Sequence, residues 1–291
     1  MTAELYVREK NAWFPNELEI KSVEDAEILH KAFIEFRTHL FITYQYNTQP
    51  HYRGEQNYGW DIKSGLFRPP LAALSSEEGK VLESEGVAEF ERVIKDQVGE
   101  NALRSIFNHM TFGRSWDLLF QAQHAGIKTS LTDWSADILA PLFFATEESS
   151  DDGIETNDAQ LWWLMDPPYL MHGHSDGPES FYEQNPFELE SSMLINPASF
   201  MDNIENRIFE YRMFKQKGRF FIPSKSQSSV PLNAQEELIP YLNRIRIPAF
   251  YKKTIREELN DRGLNREYLY VDEHPERQEL IRQINAKIFG V

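Results

Sequence analysis

No cysteine occurs anywhere in the chain. Disulfides, a thiolate nucleophile and a thiolate-held metal are therefore excluded, and a reducing compartment costs the fold nothing. Apolar runs are short as well: nowhere do about 18 consecutive apolar residues stand together, the length that a membrane-spanning helix requires. The opening MTAELYVREKNAWFPNELEI lacks a basic segment followed by an apolar stretch and does not read as a secretory leader. These absences predict a cytoplasmic protein with no membrane partner. Also missing are a GxxxxGKS/T phosphate loop and a GxSxG elbow, which disfavours a kinase, a Walker-type ATPase and an α/β-hydrolase. No repeat period or low-complexity tract is present. Positive charge is scarce: 30 Lys and Arg face 46 Asp and Glu, a formal net charge of −16. That field repels polyanions, so binding to duplex DNA is not expected, although a local basic cleft remains open.

What is present is enough chain, 291 residues, to bury a substantial core. Ser22 to His39 carries apolar residues at helical spacing behind a serine cap, and Glu77 to Val98 repeats the pattern. FITYQY, Phe41 to Tyr46, reads as β by composition. SWDLLFQAQHAG predicts a helix ending near Gly126, and DILAPLFFATEES another, with Asp133 or Ser135 as its cap. IKTSLTDWS between them reads as a loop. AQLWWLM, closed by Pro167 and Pro168, predicts a strand, as do RFFIP and RIRIP. The Gly-, Ser- and Pro-rich stretch His172 to Pro186 reads as a surface loop. FYKKTIREELNDRG and PERQELIRQINAKIF predict the last helices. Helices and strands follow one another without regular βαβ alternation, which favours an α+β fold.

Several stretches, in this order, resemble the FRG domain family: HYRGE, LFRPP, QAQHAGIKTSLTDWSADILAPLFFAT, RMFKQKGRFFIP and IPAFYKKTIREELNDRGL. The motif that names the family, Phe-Arg-Gly, stands here as Tyr52-Arg53-Gly54. Its central pattern stands as Gln123, His124, Gly126, Thr129, Leu131, Asp133 and Trp134. The resemblance implies an N-terminal helical segment over 1–40, an FRG domain over 41–265, and a C-terminal helix over 266–291 packed on it. It further implies a bacterial or phage context, with a toxin or anti-phage defence role. The motif order is similar to the ADP-ribosyltransferase fold, in which small antiparallel sheets flanked by helices form a cleft for NAD. In that picture a first-sheet Arg-Gly binds the dinucleotide, a Ser/Thr strand supports the nicotinamide ribose, and a later acid assists transfer to a protein or an RNA. The alternative is a non-catalytic module that binds a nucleotide or a partner in the same cleft.

The residues bear on that mapping in two ways each. Arg53 offers a planar fork suited to a pyrophosphate, and Gly54 lets a backbone amide approach a flat carboxamide; Tyr52 and Tyr58 offer rings for stacking. Equally, Arg53 can simply pair with Glu55 or Asp61, and as an exposed strand-end residue would then matter little to stability. Thr129, Ser130 and Thr132 supply hydroxyls, Asp133 can accept from a ribose or fix Arg53, and Trp134 offers a rigid face. The structural reading of Asp133 and Thr129 is a helix cap and a turn. His124 either binds a phosphate or bonds a backbone carbonyl. Gln216 stands where an acid-bearing motif is expected, but Gly218 occupies the acid's place. That leaves Glu55, Asp133, Glu210 or the Glu236-Glu237 pair as candidate acids. His172, His174 and Asp176 lack a third histidine, so no metal site is expected.

Overall fold

A computed structural model describes residues 1–98, 114–149, 152–168, 170–173, 184–195, 210–270 and 275–291. The stretch 172–186 lies largely outside them, as do His174 and Asp176. Helices begin where a short polar side chain satisfies their free amides. In α1 (Ala3–Trp13) the Thr2 hydroxyl accepts from Leu5 N–H, and in α2 (Val23–Tyr44) the Ser22 hydroxyl accepts from Asp25 N–H. Val23, Ala26, Phe33, Phe36 and Leu40 form the buried stripe of α2. That stripe carries the helix through FITY, where composition favoured a strand. The helix stops only at Gln45, in the left-handed region at φ 55°, whose N–H bonds the carbonyls of Leu40 and Phe41. Tertiary burial at Leu40 outweighs the β preference of Phe41 and Ile42, which stay exposed.

The further helices are α3 (Ser76–Val98), α4 (Arg114–Ala125), α5 (Leu139–Thr146), α6 (Asp152–Thr156), α7 (Glu210–Lys215), α8 (Ala249–Asp261), α9 (Arg266–Leu269) and α10 (Pro275–Phe289). Gly126, at φ 102°, ends α4. Neither Asp133 nor Ser135 caps α5; instead Asp137 Oδ1 accepts from Leu139 N–H at 2.8 Å.

The strands are β1 (Leu18–Glu19), β2 (Pro50–Glu55), β3 (Thr132–Ser135), β4 (Ala159–Met165), β5 (Met171–Gly173), β6 (Met193–Ile195), β7 (Gly218–Ile222) and β8 (Leu242–Ile247). They form one eight-stranded sheet in the order β1-β8-β4-β2-β3-β7-β6-β5, parallel only at β1–β8 and β5–β6. The fold is thus mixed α and β, with a single mixed sheet in place of separate antiparallel ones. TDWS, expected in a loop, is strand β3, because Thr132 to Ser135 pair in order with Phe221 to Gly218 of β7.

That sheet is nearly two. β2 pairs β4 from Pro50 to Glu55, yet it meets β3 at one position, Tyr52 opposite Ser135. Two core clusters pack against the sheet, the first reaching across the seam through Trp134, Leu194 and Phe221. Tyr6, Phe33, Phe36, Trp163, Ile245 and Ile255 anchor the first, which gathers α1, α2 and α8 on the β1-β8-β4-β2 half. Leu119, Phe120, Phe220, Ile222 and Ile284 anchor the second, with α3, α4 and α10 against β7 and β6. Among the described residues, no helix is long and apolar enough to cross a membrane.

Candidate functional site

Past Tyr52 and Ser135 the two strands part, and the gap opens into a cavity of about 360 Å3. That is at the lower end of the ~300–1,000 Å3 range of small-molecule sites. β2 contributes Tyr52 to Glu55 to its wall and β3 contributes Asp133 to Ser135; His124 comes from α4 and Gln216 from the turn after α7. The chain thus brings together eight of the residues picked from sequence, although they are spread from position 52 to 216.

Arg53 spans the gap. Its Nη1 donates to the Asp133 carbonyl at 2.7 Å, while Nε and Nη2 both lie 2.8 Å from Glu55 Oε1. The Arg53 side chain is only 10% exposed, and Glu55 5%, so this is a buried ion pair rather than a surface one. The expectation of an exposed, energetically minor Arg53 is overturned. Arg68 joins the same carboxylate at 3.3 Å. Desolvation holds its guanidinium below the ordinary arginine range, and the neighbouring charge of Arg53 pushes the same way.

Gly54 has a different use from the one read in sequence. A Cβ there would stand 1.9 Å from the Pro141 carbonyl oxygen and 2.9 Å from Ala145 N, both backbone atoms of α5. The missing side chain lets α5 cross directly over β2, so the close approach belongs to a helix and not to a carboxamide. Tyr52 is likewise no open stacking face: its ring is fully buried against Phe33, and its hydroxyl bonds His30 Nδ1 at 2.8 Å. Tyr58 lies under the Arg244 guanidinium, 4.0 Å from its ring centre, and takes no part in the cavity.

The central motif resolves into one hydrogen-bond chain. Thr129 donates its hydroxyl proton to Gln123 Oε1, and the amide nitrogen of Gln123 lies 3.1 Å from both carboxylate oxygens of Asp133. The helix end at Gly126 and the buried Leu131 set the spacing that lets one glutamine hold both partners. Thr129 therefore stands behind the site and not in it. Ser130 is buried 1% exposed against the Lys80–Glu83 pair, and Thr132 accepts from Trp134 Nε1 at 3.0 Å. None of these three hydroxyls lines the cavity. Trp134 reaches it from a buried position, 3% exposed. Asp133 is exposed, and among the described residues it forms no ion pair.

Part of the wall came without local warning. Glu147 follows α5 and is held by Arg266 and by the Tyr270 hydroxyl at 3.2 Å. Guanidiniums of Arg212 and Arg266 flank the Tyr270 ring at 4.3 and 4.5 Å from its centre. Burial, then the Glu147 charge, raises the Tyr270 phenol well above its usual range. Gln216 donates to the Leu269 carbonyl at 2.9 Å, tying α7 to α9. Gly218 brings no acid, the exposed pair Glu236-Glu237 is elsewhere, and the Glu210 side chain lies outside the described residues; among the described residues the cavity's carboxylates are Glu55, Asp133 and Glu147. Trp60 and Phe144 add aromatic surface, and Arg219 adds a fourth arginine beside Arg53, Arg68 and Arg212. Of the wall residues not picked from sequence, Gln123 and Phe144 stand in the central stretch, Arg68 in LFRPP, and Arg212 and Arg219 in RMFKQKGRFFIP, whereas Trp60, Glu147 and Tyr270 lie outside the quoted stretches.

Fold and site together define a mixed α and β protein with a ligand-sized cleft where its sheet divides. Residues 48–153 match the family model of the FRG domain, so this stretch of the chain carries an FRG domain. No curated protein and no solved structure matches the chain.

Proposed function

We propose that the cleft binds a nicotinamide dinucleotide and transfers its ADP-ribosyl group, in the manner of an ADP-ribosyltransferase. The observation that carries the reading is the placement of Asp133: a carboxylate without an ion pair among the described residues, oriented by Gln123, at a cavity with four arginines in a chain of net charge −16. Arginines at a partly enclosed wall suit a pyrophosphate, whose charge the rest of the surface repels. Trp60, Phe144 and Tyr270 suit a flat ring. In the transfer, the bond between the ribose C1′ and the nicotinamide nitrogen breaks, and the electron pair leaves with nicotinamide. Asp133 lies free to steady the oxocarbenium ion so formed. The acceptor, a protein or an RNA, then bonds C1′ through its nucleophile and releases a proton to solvent or carboxylate.

A second reading, a non-catalytic nucleotide-binding module, draws on the same wall. Glu55 and Glu147 are already engaged by Arg53, Arg68 and Arg266. Nicotinamide release from NAD, followed for the wild type and Asp133→Asn, separates the two. Release that falls about 100-fold or more in Asp133→Asn at unchanged melting temperature supports transfer, on the scale expected of a group acting in the transition state. NAD that raises the melting temperature without any nicotinamide release supports the binding module.

A further inference from the structure

On the other side of the Tyr52–Ser135 pair lies a second cavity, about 390 Å3, lined among others by Asn47, Thr48, Gln49, His51, Asp166 and Arg219. The seam between the sheet halves therefore opens twice, and the single ladder pair stands between the openings. Arg219 lines both. Its Nη1 donates to the Gly218 carbonyl at 2.9 Å, but among the described residues no carboxylate pairs with it. Burial depresses its guanidinium to about 10, opposed by the charge of Asp166. A largely desolvated cation with carbonyl partners but no counter-ion is costly unless an anion completes it.

The second cavity sets a few polar groups among apolar ones such as Ile34 and Leu194, and away from Arg219 it is unsuited to an anion. His51 Nε2 stands 2.6 Å from Asp166 Oδ1, and Asp166 Oδ2 accepts from Gln49 N–H at 3.1 Å. The Asp166 carboxylate, 3% exposed, would repel a phosphate placed beside it. His51 Nδ1 is buried and has no hydrogen-bond partner among the described residues. Such a nitrogen, in a cavity that Asn47 and Thr48 also line, suits a neutral group rich in hydroxyls or amides.

We infer that one dinucleotide occupies both cavities, with its pyrophosphate at Arg219 and one neutral nucleoside end in the His51–Asp166 cavity. The inference rests on the nucleotide reading above and adds where the two halves lie. The arginine shared by the two cavities sits where the halves would join.

Calorimetric titration of the full chain with NAD, AMP and nicotinamide mononucleotide tests it, on the wild type, Arg219→Gln and Asn47→Trp. Asn47 is exposed at the rim of the second cavity only, so the tryptophan narrows that cavity while the core is left intact. The expected result is a loss of NAD affinity of roughly ten- to a hundredfold in both variants, the scale of a lost charged hydrogen bond. One mononucleotide should bind Asn47→Trp as it binds the wild type. NAD affinity that is unchanged in Asn47→Trp overturns the two-cavity placement while leaving the nucleotide reading in force. Absence of binding by all three probes to the wild type overturns both.

Discussion

At the scale of single residues, Gly54 sits under the tightest constraint. Its missing Cβ faces backbone atoms of α5, and that helix is itself buried through Ala140, Leu142 and Ala145, so nothing near can yield. Gly54→Ala should cost about 3 kcal/mol or more, the upper end of overpacking. A denaturant titration checks this as a lowered midpoint at unchanged slope. Arg53→Ala should also destabilise, by about 3 kcal/mol, because it strips the main partner from a carboxylate that is 5% exposed. The value falls at the low end for a broken buried pair since Arg68 stays on Glu55. Adding Glu55→Gln to Arg53→Ala should recover part of the loss, and a double-mutant cycle of melting free energies measures how much. A ligand-binding role for Arg53 thus cannot be judged from Arg53→Ala without the melting curve beside it.

Among elements, α3 is the strut that holds the site loop. Ser130 N–H donates to Glu83 Oε1 at 2.6 Å, and Lys80, 2% exposed, bonds Ser130 Oγ at 2.8 Å and pairs with Glu83 at 3.0 Å. Glu83→Ala leaves that lysine buried without its counter-ion, so it should cost about 3–5 kcal/mol. Hydrogen exchange of the amides from 129 to 133 should accelerate with it. The other end of α3 is tied to α10 through Glu89, which meets Arg92 at 2.7 Å and Lys287 at 2.9 Å. Bonding to Arg92, then to Lys287, lowers its carboxyl from 4.5 to about 2. A folded value below the unfolded one means a contribution complete above pH 4.5, fading as pH falls through about 2. Acid titration of stability should therefore be shallower across that window in Glu89→Gln.

How far these elements could be read in advance depended on where their information lies. The stripes of α2 and α3 and the glycine end of α4 are local patterns, and they stand in the sequence as they stand in the fold. β3 did not, since TDWS is polar and short and becomes a strand only through the ladder offered by β7. The cleft divides in the same way. Arg53, Asp133 and Gln216 sit in motifs, and Arg212 and Arg219 share the stretch RMFKQKGRFFIP with Gln216, whereas Glu147 and Tyr270 reach the wall because the chain returns there after long detours. No local pattern in the sequence encodes those returns. Gly54 shows the limit from the other side: its place in the motif was plain, but its steric partner lies across a helix packing that only the fold reveals.

For the whole molecule, the formal charge of −16 acts against compactness, because like charges repel over distances that salt shortens. Raising ionic strength from about 0.01 to 0.15 M cuts the screening length from about 30 to about 8 Å. The melting temperature should rise over that range, and the four-arginine cleft should retain an anion's affinity better than an exposed basic patch would.

The strand order has a consequence for anyone cutting the chain. The stretch 48–153 contains β2 and β3, the two sides of the seam, but β4 and β7, which flank them, come from later in the chain. Released alone, that stretch would present two naked ladder edges and would lack Arg212, Arg219 and Tyr270. Such edges recruit other chains, so light scattering should find it self-associating where the full chain is not. The part of the chain that bears the family's signature is thus the inner face of a joint, and it depends on its neighbours for both solubility and shape.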